Sequence, residues 1–193
     1  MGTHKKLVEG ILIESALIGK TILEKHIEDI DSISNLIITA YKCGGNVLLC
    51  GNGGSAADAQ HIAAELVGKF NLERRPFPAI ALTTNSSTLT AIANDYGYKK
   101  VFSRQVEAFA TTKDVVIGIS TTGNSVNVVE AIKKASSMGV ATVGLSGCGG
   151  GILASIVDIA LIVPSRNIPR VQEAHILIGH IICEIVEKEL VGV

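Results

Sequence analysis

The sequence predicts an α/β fold, a central five-stranded parallel sheet flanked by helices, in one domain of 193 residues. Three observations predict it. Five short runs rich in β-branched and aliphatic residues lie at 46–50, 79–83, 115–120, 141–146 and 159–163. These runs are almost wholly apolar rather than alternating, which is the mark of strands covered on both faces. Helical segments separate them, the order expected of a parallel sheet wound with crossover helices.

Taken in order, Leu7, Ile11, Ile18 and Ile22 recur at helical spacing over residues 5–27, and a second helix is expected to start at Asp31 or Ser32 and run to about Tyr41. Residues 1–44 therefore read as two leading helices and 45–193 as the α/β core. Within the core, helices are expected over 55–69 and 125–137, and a last one over about 170–189 closes the chain. No repeat, low-complexity tract or linker divides it, and the length suits one well-filled core.

Composition excludes several classes. Hydrophobic residues make up 47% and charged residues 18%, an apolar surplus that predicts surface buried between subunits. The net charge of −1, with Lys and Arg scattered, leaves no basic stripe for a nucleic-acid backbone. Cys43, Cys50, Cys148 and Cys183 lie far apart without CxxC spacing, so free thiols in a cytoplasmic protein are expected, with neither a disulfide framework nor a thiolate zinc site. Glu9, Glu14 and Lys20 interrupt the apolar pattern that a secretory signal would need. The long uncharged run at 135–157 holds Gly149, Gly150 and Gly151 and reads as strand and turn, so no membrane span is expected.

In an open parallel sheet, ligands bind beyond the carboxyl ends of the strands, where loops enter helix N-termini. Two such loops stand out: Gly51-Asn52-Gly53-Gly54-Ser55 after the first strand, and Ser120-Thr121-Thr122-Gly123-Asn124-Ser125 after the third. Glycines admit an anion close to the backbone, hydroxyls donate to its oxygens, and a helix N-terminus adds partial positive charge. Without the GxxxxGK[ST] lysine, the second loop suits a small phosphomonoester better than a nucleoside triphosphate. The plainer reading makes Ser55 and Ser125 helix N-caps only. Gly51, Gly53 and Ala56 also satisfy a loose dinucleotide pattern, but the second strand ends in Thr83-Thr84-Asn85, where a ribose-binding carboxylate would be needed.

His61 and Glu65 are four residues apart and project from one helix face, on a helix apolar enough to be expected to bury them. On the last helix, Gln172 and His180 can share a face that His175 does not readily join. His175 reads as a hydrogen-bonded core or interface histidine. The roles of Gln172 and His180 stay open on spacing alone.

At GNGGSAADAQHIAAEL (51–66), LTAIANDYGY (89–98), ISTTGNS (119–125) and RVQEAHILIGHIICE (170–184), the chain resembles the sugar isomerase (SIS) family, and within it the phosphoheptose isomerases, over nearly its whole length. The resemblance implies an aldose–ketose isomerase acting on a phosphorylated seven-carbon sugar, in a homotetramer with active sites between subunits. It implies substrate contacts from Asn52, Gly53, Gly54, Asn94, Asp95, Ser120, Thr121, Thr122, Ser125 and Gln172, with Ser55 near the phosphate. It also implies one zinc ion per subunit on His61, Glu65, Gln172 and His180. The reaction moves a proton between adjacent carbons and so needs a base and an acid or metal; Glu65 is assigned as base and His180 as acid. One branch of the family instead binds the bacterial replication initiator and lacks this carboxylate and imidazole, both of which the present sequence has. Ala56-Ala57 stands where some isomerases carry a His.

Overall fold

The computed structural model describes residues 3–192. Helices α1 (Thr3–Lys25) and α2 (Ile27–Lys42) lead into β1 (Val47–Gly51), α3 (Gly54–Val67), β2 (Ala79–Ala81) and α4 (Ser86–Tyr96). A 3-10 turn (Tyr98–Lys100), α5 (Ser103–Phe109), β3 (Val115–Ser120) and α6 (Val126–Ser137) follow. The chain then runs through β4 (Ala141–Ser146), α7 (Gly151–Ala154) and β5 (Ile159–Ile162) to α8 (Ile168–Val191).

All five strands pair in parallel in the order β2-β1-β3-β4-β5, and the expected fold class holds. Side chains alternate across the sheet, which divides the core in two. Leu49, Ile117, Val143 and Leu161 face Ile33 and Ile37 of α2, Ile62 and Leu66 of α3, and Ile178 and Ile182 of α8. Leu48, Cys50 and Val116 face Val106 of α5, Val128 and Ile132 of α6, and Leu153 of α7. Burial on both faces explains why the central strands β1, β3 and β4 carry no alternating polar residues. No helix among the described residues is long and apolar enough to cross a membrane.

Several boundaries differ from expectation. The second helix begins at Ile27 rather than near Asp31, because a single residue makes the break: His26 leaves helical geometry at φ −125°, ψ 12° and its Nδ1 lies 2.8 Å from Asp29 Oδ2. Of the apolar stripe on α1, Ile18 and Ile22 are buried while Leu7 and Ile11 remain exposed. Helices α4, α5 and α7 were not anticipated; α4 buries no residue fully, and its Leu89, Ile92 and Ala93 pack only partly buried against the core.

The sheet order fixes where function can sit. From β1 the chain crosses outward to β2, and from β3 it crosses the other way to β4. Adjacent strands β1 and β3 thus diverge at a topological switch point, where their loops part to leave a crevice.

Candidate active site

The crevice is lined by the two loops singled out from the sequence. Ser120 ends β3, buried, and its Oγ lies 2.9 Å from Ser125 Oγ. Ser125 occupies the N-cap position of α6 but makes no side-chain capping bond, so the cap-only reading fails and its hydroxyl stays with Ser120. Ser55 is not an N-cap either: Gly53, at φ 55°, takes that position and Ser55 lies buried in the first turn of α3. Thr121 is half-buried and Thr122 exposed.

The hydroxyl loop is held from behind. Gly147 N–H donates to Thr121 O at 3.0 Å, Leu153 N–H to Gly123 O at 2.9 Å and Ile152 N–H to Asn124 Oδ1 at 3.1 Å. Gly123 has φ 69°, and a Cβ there would stand 1.8 Å from Gly150 O, so only glycine allows this approach. Across the crevice, Asn52 and Asn127 exchange two amide hydrogen bonds, each 2.8 Å, and Tyr98 Oη donates to Asn52 Oδ1 at 3.3 Å. Asn94 and Asp95 sit exposed at the end of α4, bonded to each other at 2.8 Å, shortly before Tyr98.

Helices α3 and α8 run side by side from this crevice. At its end Gln172 packs its amide on the α3 N-terminus, where a Cβ on Gly54 would come within 2.3 Å of Gln172 Nε2. Further along the seam, His61 Nε2 lies 3.2 Å from Glu65 Oε1 and 3.0 Å from His180 Nε2. The His61 side chain is 48% exposed and that of Glu65 26%. The expectation that both would be buried is thus corrected: α3 turns Ala59, Ile62, Ala63 and Leu66 to the core and leaves His61 and Glu65 on its open edge.

Ligand atoms of His61, Glu65 and His180 lie within 4.8 Å of one another. Donors bound tetrahedrally at zinc distances stand roughly 3.3 Å apart, close to the spacings seen, and a His, His, carboxylate set is a zinc set. These residues fit the ion. Gln172 is not brought to this cluster within the chain: eight residues before His180, it lies about 12 Å back along the helix axis, with its amide on Gly54.

The surroundings hold the cluster. Phe70 packs its ring 5.6 Å from that of His180. Glu187 accepts hydrogen bonds from the N–H groups of Phe70, Asn71 and Leu72 and from Arg74 Nε, while Arg74 donates to the carbonyls of Glu65 and Leu66 at the end of α3. Burial works to raise the Glu187 carboxyl, but these donors outweigh it and hold it below the ordinary carboxylate range. Asp58, on the same helix as His61, is pushed up to about 6, by burial first and against the pull of His61, and its Oδ2 has no partner. His175 is fully buried as expected, but it is not hydrogen-bonded: the Ser146 backbone stands near without completing a bond to either ring nitrogen, and burial lowers its pKa to about 4.

Asn127, Tyr98, Arg74 and Glu187 were missed from the sequence. The signal for Asn127 was its place two residues beyond Ser125, in the first turn of a helix entered from the hydroxyl loop. For Arg74 and Glu187 there was none, since their meeting joins residues 113 positions apart.

Known proteins share this sequence and fold. An SIS domain model matches residues 14–147. A phosphoheptose isomerase of Clostridium acetobutylicum is 57% identical over 190 residues, covering 97% of each chain, and one of Aquifex aeolicus is 52% identical over 181 residues, covering 94% of this chain and 95% of that one. Among solved structures, a phosphoheptose isomerase from Neisseria gonorrhoeae superposes with a TM-score of 0.91 at 40% identity, covering 96% of this chain and 100% of that one. One from Francisella tularensis does so with a TM-score of 0.93 at 34% identity, covering 96% and 99%. Sharing sequence and fold with these proteins across nearly its whole length, the chain belongs to the phosphoheptose isomerase family of SIS-domain proteins.

Proposed function

We propose that the chain converts sedoheptulose 7-phosphate into D-glycero-D-manno-heptose 7-phosphate through an enediol, feeding activated-heptose synthesis. The observation that carries this reading is the seam between α3 and α8: hydroxyl-bearing loops lie at one end, and Glu65 with His180 at the other. From Gly54 to His61 the helix advances about 10 Å, the scale of an open-chain seven-carbon sugar with its phosphate at one end and its carbonyl at the other.

In this assignment Ser120, Thr121, Thr122 and Ser125 donate to the phosphate, aided by Ser55 and the α3 N-terminus. Asn52, Gly53, Gly54, Asn94, Asp95 and Gln172 line the sugar chain and orient its hydroxyls. Glu65 keeps Oε1 toward His61 and uses its other oxygen to take a proton from C1 of the ketose. His180 gives a proton to the oxygen on C2, which yields the enediol. Glu65 then returns its proton to C2 while the C1 hydroxyl surrenders one to His180, leaving an aldehyde at C1 and both residues as they began.

His61, Glu65 and His180 would hold a zinc ion; Gln172, the further ligand the resemblance implies, would join them only from a neighbouring subunit, since its amide lies on Gly54 within the chain. When bound, that ion supplies polarisation of the carbonyl. We further assign a homotetramer with active sites between subunits, in the cytoplasm. Leu7, Val8, Leu12, Leu17 and Leu23 of α1 are each more than half exposed, an apolar face that supports assembly.

The test is incubation with sedoheptulose 7-phosphate, fructose 6-phosphate and arabinose 5-phosphate side by side. Turnover of the seven-carbon ketose alone is expected. Conversion of none, with binding to a replication initiator, would overturn the reading in favour of an adaptor.

A further inference from the structure

Asn127 is buried to 4% exposure in the first turn of α6, and both of its amide bonds to Asn52 measure 2.8 Å. A reciprocal amide pair is symmetric: turning both side chains over would preserve both bonds. A third contact breaks the symmetry. The backbone N–H of Val128 donates to Asn127 Oδ1 at 3.1 Å, and a backbone N–H can only donate. Asn127 must therefore keep its oxygen on that side, which obliges Asn52 to point its NH2 at Asn127 Oδ1 and its oxygen at Asn127 Nδ2. The Asn52 oxygen is then filled, since it also accepts from Tyr98 Oη at 3.3 Å. An amide carries two N–H donors and two acceptor lone pairs; what remains on Asn52 is a lone N–H donor.

We infer that Asn127 is a positioning residue that fixes the sense of the Asn52 amide, so that Asn52 meets the bound sugar phosphate as a donor and never as an acceptor. The inference rests on the proposed function for its kinetic consequence. Asn127 joins the loop after β3 to the loop after β1, so the helix that receives the phosphate also sets the donor that meets the sugar. Without it the Asn52 amide could turn over and present a lone pair to a substrate whose phosphate is negative.

The test is a kinetic cycle of wild type, Asn52→Ala, Asn127→Ala and the double variant, with Asn127→Asp beside them and the melting temperature of each recorded. Asn127→Ala should lower kcat/KM about tenfold, the scale of one misdirected hydrogen bond. In the Asn52→Ala background the same change should matter less than about twofold, because Asn127 acts through Asn52. Asn127→Asp keeps an acceptor for Val128 N–H and Asn52 Nδ2 but sets a second oxygen against Asn52 Oδ1, so it no longer fixes the sense of the Asn52 amide and should not recover the loss. Equal losses from Asn127→Ala in both backgrounds, or wild-type kcat/KM in Asn127→Asp, would overturn the inference and leave Asn127 a packing residue. A second readout needs no turnover: the Asn52 amide proton bonded to Asn127 should exchange slowly in wild type and rapidly in Asn127→Ala. If wild type isomerises nothing, the functional reading fails, and these exchange rates still decide the lock. Equal exchange in both proteins would refute it.

Discussion

Replacing Glu187 by Gln should cost this protein a large part of its stability. The Glu187 and Arg74 side chains are 1% and 3% exposed. Oε1 accepts from Phe70 N–H at 2.9 Å and Arg74 Nε at 2.8 Å, and Oε2 from Asn71 and Leu72 N–H at 2.7 and 2.9 Å. A glutamine offers one oxygen, so whichever way it turns, two buried donors face an NH2 group, and the Arg74 guanidinium loses its counter-charge. Breaking a buried pair from one side costs about 3–5 kcal/mol, a large part of the roughly 5–15 kcal/mol that holds a domain folded. Urea unfolding of wild type and Glu187→Gln at one fixed protein concentration would measure it, the concentration mattering because assembly contributes to apparent stability. A loss below about 1 kcal/mol, the scale of an exposed pair, would show that the network does not anchor the end of α3.

Three further outcomes follow from the same structure. Ser120→Ala with Ser125→Ala removes two hydroxyls facing the crevice, and at about 1.5–3 kcal/mol per bond to a charged acceptor the KM for sedoheptulose 7-phosphate should rise steeply; an unchanged KM would reduce both serines to scaffold. His175 has its pKa lowered from 6.5 to about 4 by burial, so the unfolded chain takes up a proton first. Its contribution is intact above pH 6.5 and lost as pH falls toward 4, up to about 3 kcal/mol, and His175→Leu should flatten the decline of melting temperature over that window. Calorimetric titration with zinc should show uptake by wild type that His61→Ala and His180→Ala each abolish, whereas equal uptake by all three would remove His61 and His180 from the ligand set.

The sheet was legible because burial on both faces forces the central strands β1, β3 and β4 into apolar runs, and the crevice was legible because glycines and hydroxyls crowd where strands end. Helix α4 was overlooked, although Leu89, Ile92, Ala93 and Tyr96 recur at helical spacing and the first three pack partly buried against the core; Asn85, whose side chain accepts from Thr88 N–H at 3.0 Å, marks its start. His61 and Glu65 were found by their spacing, yet their exposure was misjudged because composition does not say which edge of a helix meets the sheet. Spacing put Gln172 and His180 on a shared face, and the structure separates their side chains along the axis, one on Gly54 and the other on His61. Asn127 and the Arg74–Glu187 pair depend on contacts between distant segments, which no local pattern encodes.

Glu65 as the proton acceptor is tested most directly by Glu65→Gln, which keeps the shape and removes the base. The expected result is turnover of sedoheptulose 7-phosphate reduced by about 10²–10⁴-fold, the usual contribution of a general base, with calorimetric binding of the sugar phosphate and sedimentation of the assembly unchanged. Near-wild-type turnover would contradict the assignment, and loss of activity only through dissociation into subunits would make Glu65 structural.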